Sequence, residues 1–255
     1  MTSVDDELFV LLDRDVNQVA VYSIKASWFT KDYRLLRHLK LRGFKPHRFS
    51  DMTSCVRHKC LYMSDFLSSC IHRYDLVSSA TSKWSVPGSP YGLSVTSSCN
   101  LIITCQGEPN KLVELSADSG QCVREIALQV DIESPWHGVQ LTTGQFVVCH
   151  GDLSSYLHRV CSVGDDGKVT RSYGDESDSD FGPLDVPCHL AVDKDSQFIF
   201  VADQNNARVV LLSPTLEFVR YVTEELSSPH RLCLDHTTRR LFVAQWQGDV
   251  TVVQL

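Results

Sequence analysis

Residues Val186–Ser213 read "VPCHLAVDKDSQFIFVADQNNARVVLLS" and contain three short apolar runs with polar turns between them. "HLAVD", "FIFVAD" and "RVVLLS" each have the length and β-branched content of a strand, and "QNN" between the last two is a tight-turn sequence. A proline opens the first run, where no N–H is required of it. This unit of proline, strand, turn and hairpin decides the fold, because it recurs.

Working outward, "FIFVAD" aligns with runs that start near residues 8, 61, 101, 146 and 241: "LFVLLD", "LYMSD", "LIITC", "FVVCH" and "LFVAQ". Self-similarity at about 40 to 50 residues marks a propeller or a linear array. Five of the six hairpins follow a proline-led strand, at Pro46, Pro90, Pro135, Pro187 and Pro229. A weaker fourth strand follows most hairpins, as in "CVREIAL" from Cys122 and "EFVRYV" from Glu217. Four short strands per unit predict a six-bladed β-propeller, all-β, occupying residues 1–255 as one domain. The segment "KDYRLLRHLKL" (Lys31–Leu41) is the one place where a helical reading competes. The first unit lacks a proline-led inner strand and the last ends at Leu255 before an outer one. The expectation is therefore a ring whose closure needs a short segment ahead of Met1, or which otherwise leaves strand edges exposed.

Composition fits this reading. Of 255 residues 43% are hydrophobic and 22% charged, with a formal net charge of −7. That balance argues against DNA or an anionic membrane as partner. The sign of the charge varies locally: "RLLRHLKLRGFKPHR" (Arg34–Arg48) is basic, and "DESDSD" (Asp175–Asp180) is an acidic loop. No apolar run approaches the ~18 residues of a membrane span, and the first residues lack a secretory pattern, so the expected location is cytoplasmic. The ten cysteines form no C-x-x-C pair, and most lie inside strand patterns, where a thiol in a reducing compartment packs as a small hydrophobe.

The opening stretch, continued to "PTLEFVR", resembles an NHL repeat, the propeller unit at the C-terminus of tripartite-motif (TRIM-NHL) ubiquitin ligases. "PHRLCLDHTTRRLFVAQWQGDVTVVQL" from Pro229 is a weaker copy, and the other four are degenerate. Within the repeat, Asp203, Asn205, Asn206 and Arg208 match positions read as structural: the Asn and Asp suit the left-handed conformations of a tight turn, and Asp203 can pair with Arg208 across it.

The inner strands of a propeller all begin at one face, beside the central channel, so their first residues are expected to ring its mouth. One place after each proline stand His47, Tyr91, Trp136, Cys188 and His230; two places after stand Arg48, Gly92, His137, His189 and Arg231. Imidazole, guanidinium and aromatic groups so arranged would hold an acidic peptide, a phosphate or a stacked base. The resemblance implies a non-catalytic platform for protein partners, the substrate-recognition part of a larger ubiquitin ligase whose catalytic domains would lie elsewhere. An RNA-binding platform is the alternative, carried by the mouth and the basic segment.

A second alternative is enzymatic. Peptidyl-hydroxyglycine lyases share the propeller and resemble this chain in placing histidine after proline on alternate blades, where three imidazoles hold zinc. Here His47 and His230 fit that pattern, but the third blade offers Trp136, with His137 on what strand alternation makes the opposite face. No G-x-S-x-G, H-E-x-x-H or glycine-rich phosphate loop is present. The expectation is accordingly no catalytic residue, no metal and no cofactor.

Overall fold

A computed structural model describes residues 1–11, 18–24, 33–41, 49–155, 157–174 and 182–255. Six antiparallel sheets stand in chain order around a central axis. The first blade is β1 (Thr2–Val4), β2 (Glu7–Leu11), β3 (Gln18–Ser23) and β4 (Leu35–Lys40); the second is β5 (Phe49–Cys55), β6 (Cys60–Asp65), β7 (Cys70–Asp75) and β8 (Thr81–Ser85). The third holds β9 (Ser89–Val95), β10 (Leu101–Gln106), β11 (Lys111–Leu115) and β12 (Cys122–Ala127), and the fourth β13 (Pro135–Gln140), β14 (Phe146–His150), β15 (Arg159–Val163) and β16 (Val169–Tyr173). The fifth is β17 (Pro187–Val192), β18 (Ile199–Asp203), β19 (Arg208–Leu212) and β20 (Phe218–Thr223), and the sixth β21 (Pro229–Asp235), β22 (Arg240–Gln245) and β23 (Val250–Gln254). The chain is a six-bladed β-propeller with no helix among the described residues, so no helix there is long and apolar enough to cross a membrane.

One expectation changes at the seam and one holds. The first blade does have an inner strand, the three-residue β1, which pairs with β2 and carries no proline to announce it. The sixth sheet has three strands, the other five four. First and last blades meet through Met1, Leu8, Ile24, Cys233 and Phe242, so the inner faces of the seam are packed. The helical reading of Lys31–Leu41 is also replaced: Leu35–Lys40 is β4, paired with β3, and Arg37 on its exposed face binds Glu7 of β2.

Burial explains the sequence pattern. Middle strands such as β14 and β18 are buried throughout because both faces pack on neighbouring blades, hence their unbroken apolar runs. Outer strands face water on one side, and β8 alternates exposed and half-buried residues. The apolar clusters lie between adjacent blades: one joins Val139, Val147 and Val160 of the fourth blade to Leu190, Val201 and Val210 of the fifth. All ten cysteines stand as thiols, and Cys55, Cys60, Cys105, Cys149, Cys161, Cys188 and Cys233 belong to these clusters.

Candidate functional site

The inner strands share a local irregularity that aims their side chains. Between Pro135 and His137, Pro187 and His189, and Pro229 and Arg231 the register with the next strand shifts by a β-bulge. An extra residue reverses the in/out parity of a strand. His137 therefore faces the channel, contrary to the expectation from simple alternation.

The second blade keeps the same register with different residues. Phe49 pairs with Asp65 as Pro187 pairs with Asp203, and the residue two places after Phe49 is Asp51. The channel position of that blade thus belongs to Asp51, which a count from Pro46 misses. Counting back from the β6 partner would have found it. His47 and Arg48, the residues expected there, lie outside the described residues. The remaining equivalent is Gly92, whose missing side chain makes room: a Cβ there would lie 2.4 Å from the Trp136 carbonyl oxygen and 2.6 Å from His137 Cα.

Asp51, His137, His189 and Arg231 converge. Asp51 Oδ2 is 3.6 Å from Nε2 of both imidazoles, and Oδ1 is 3.2 Å from Arg231 Nε. The amides of Met52 and Leu93 donate to the carboxylate at 2.8 and 2.9 Å. The two imidazoles stack at 3.9 Å. His137 Nε2 donates to the Leu93 carbonyl at 3.0 Å, and the Leu232 amide donates to His189 Nδ1 at 3.3 Å, which puts the His189 proton on Nε2 toward Asp51. Arg231 also donates to the carbonyls of His230 and Ser50.

The electrostatics are those of a closed network. Burial would raise the Asp51 carboxyl, but His189, Arg231 and His137 hold it well below the usual range. Burial lowers both imidazoles despite Asp51 beside them, and the neighbouring His137 helps push His189 down to about 3. Among these four side chains, two neutral rings, one carboxylate and one guanidinium leave no excess positive charge, and the buried Met1 amine beside Asp51 is itself lowered by burial. The ring is thus neither basic nor at the surface: His137 and His189 are buried.

The three ligand-type atoms of Asp51, His137 and His189 lie within 4.8 Å of one another. A guanidinium already occupies Asp51, however, and backbone groups hold both rings, the Leu93 carbonyl at His137 Nε2 and the Leu232 amide at His189 Nδ1, so the cluster is already satisfied without a cation. The three-imidazole zinc site is not assembled among the described residues, since His230 lies instead with its ring 4.8 Å from that of Trp246.

The other predicted mouth residues go elsewhere, because they occupy the bulge and turn away from the axis. Cys188 is buried, with its thiol near the carbonyls of Pro229 and His230. Trp136 donates from Nε1 to the Gly151 carbonyl at 3.0 Å, and Tyr91 bridges it to Phe66, with ring centroids 5.6 and 5.5 Å apart. These half-buried aromatics sit at the propeller face where inner strands begin and middle strands end; we call it the apical face. The loops of that face also carry Leu67, Val130, Leu153 and Trp246, which are 61%, 93%, 85% and 58% exposed.

The turn residues form a latch. Asp203, fully buried, accepts from the Asp185 amide at 2.8 Å, Asn206 Nδ2 at 2.9 Å and Arg208 Nε at 2.7 Å. Asn205 Nδ2 reaches Asp185 Oδ1 at 3.1 Å. The left-handed residue of the turn is Ala207, with φ 55°, not either asparagine. Their side chains serve instead to tie the hairpin to the Pro183–Asp185 loop.

No protein-family model matches the chain, and no curated protein does. Solved structures do. A protein of unknown function from Bacteroides caccae superposes with TM-score 0.70 at 13% identity, covering 96% of this chain and 84% of that one. Virginiamycin B lyase from Staphylococcus aureus gives 0.64 at 9% identity over 99% and 83%. The Swd1 β-propeller domain of Myceliophteria thermophila gives 0.64 at 10% identity over 98% and 80%. At such identities the likeness concerns the fold alone.

Proposed function

We propose that this propeller is a non-catalytic protein-binding platform that engages its partner on the apical face. The observation that carries the reading is the set of exposed apolar side chains there, Leu67, Val130, Leu153 and Trp246, around the Phe66–Tyr91–Trp136 aromatics. Large exposed apolar residues on one face mark interaction surfaces, and aromatic anchors supply most of the binding energy. The resemblance to NHL repeats supports placing the platform in a larger TRIM-NHL-like ubiquitin ligase, and the core-packed thiols suit a reducing compartment such as the cytoplasm.

Charge refines the partner. The apical loops expose Glu108, Glu133, Glu224, Glu225 and Asp249, and among the described residues these loops hold no lysine or arginine. To these described loops a segment with basic and apolar side chains is complementary.

Selection from a displayed peptide library, with counter-selection against a Leu153→Asp/Trp246→Asp variant, tests the reading. Basic, aromatic-containing peptides are expected. Recovery of acidic peptides only, or tight RNA binding indifferent to the two substitutions, would overturn it.

A further inference from the structure

In the second blade, Asp65 ends β6 and Cys70 opens β7, and the two are register partners. His72, two residues on, lies on the same face of β7 as Cys70. Its Nε2 is 3.3 Å from Asp65 Oδ2 and 3.5 Å from Cys70 Sγ, and all three residues are buried. We propose that Asp65, Cys70 and His72 form a zinc-type metal site, a role distinct from partner binding on the apical face.

Geometry argues first. Zinc bonds of about 2.3 Å to sulfur and about 2.1 Å to nitrogen or oxygen in a tetrahedron set the ligand atoms about 3.6 Å apart for S···N and about 3.4 Å for N···O. The two observed separations match those edges, and a small swing of the carboxylate closes the third, since all the ligand atoms lie within 4.8 Å of one another.

Charge argues second. At the equivalent place in the fifth blade the buried carboxylate is Asp203, and its register partner is Arg208, a permanent cation. The second blade has a cysteine where that arginine stands, and among the described residues the ion-pair partner of Asp65 is His72. Among the described residues, Arg73 pairs with Asp75, and Lys83, opposite His72 on β8, is exposed. When Zn²⁺ binds, the Cys70 S–H bond breaks, its proton leaves to solvent and an S–Zn bond forms. One thiolate, one carboxylate and one divalent ion then sum to zero. The Ser68 amide, donating to Asp65 Oδ1 at 2.9 Å, fixes the carboxylate from behind.

The test is equilibrium dialysis of the purified chain against zinc, with metal analysis, and cobalt substitution as a second readout. We expect one tightly held zinc per chain and a thiolate-to-cobalt charge-transfer band. Cys70→Ser and His72→Gln should each weaken zinc binding at least about 100-fold, because even outer-sphere partners are worth 10–100-fold. Cys70→Ala serves if the serine variant fails to fold, and His189→Gln, in the channel, should keep the metal and the band. A wild-type chain that retains no zinc, or folded Cys70 and His72 variants that bind it as well as wild type, would overturn the site.

Discussion

Asp51 and Arg231 meet at 3.2 Å, the one buried on the second blade and the other half-buried on the sixth, so an ion pair spans the seam where the first and last blades close the ring. Removing one member of such a pair strands the other. Asp51→Leu should therefore cost about 3 kcal/mol of unfolding free energy, within the range for broken buried pairs, and Asp51→Leu combined with Arg231→Met should cost less than either of those two single changes. Urea unfolding of the four proteins measures this, and additive losses would contradict it.

Stability should fall on mild acidification. An unfolded imidazole takes up a proton near pH 6.5, whereas His189, lowered by burial and by His137, resists until about 3, and His150, lowered by burial and Arg159, until about 4. Between those values the unfolded chain binds more protons, so each of the two histidines removes about 2 kcal/mol between pH 7 and pH 5. Asp51, depressed in the folded state, keeps its contribution across that window. Thermal melts at the two pH values should show the loss, and His150→Gln with His189→Gln should flatten it.

Gly92 is required by its neighbour. With the Trp136 carbonyl and His137 Cα standing where a Cβ would go, Gly92→Ala should destabilise by about 1–3 kcal/mol through overpacking. An alanine variant with wild-type stability would show that the fourth inner strand shifts without cost.

The fifth-blade latch separates its members. Arg208→Ala leaves fully buried Asp203 without its guanidinium and should cost about 3 kcal/mol. Asn205→Ala removes one exposed hydrogen bond and should cost less than about 1 kcal/mol. Chemical denaturation of both variants measures the contrast.

The propeller was legible because its signal is periodic: six apolar runs with turn residues at similar spacing can hardly be read otherwise. The seam was less so, since β1 is three residues long and has no proline. The channel ring was half visible. His137, His189 and Arg231 follow prolines, but Asp51 follows Phe49, and the bulges that turn these residues inward depend on pairing with the next strand, which no single run reveals. The same blindness made the ring look cationic: without Asp51 and burial, two histidines and an arginine suggest a basic mouth, and with them the charges cancel.

The most direct test of the account compares affinities for one library-selected peptide among three proteins: wild type, the apical Leu153→Asp/Trp246→Asp variant and the channel variant His189→Gln. A protein-binding platform working through its apical face predicts a loss of at least about tenfold, or 1.4 kcal/mol, in the apical variant and none in the channel variant. Binding that survives the apical changes and fails with His189→Gln would contradict it and return the function to the channel.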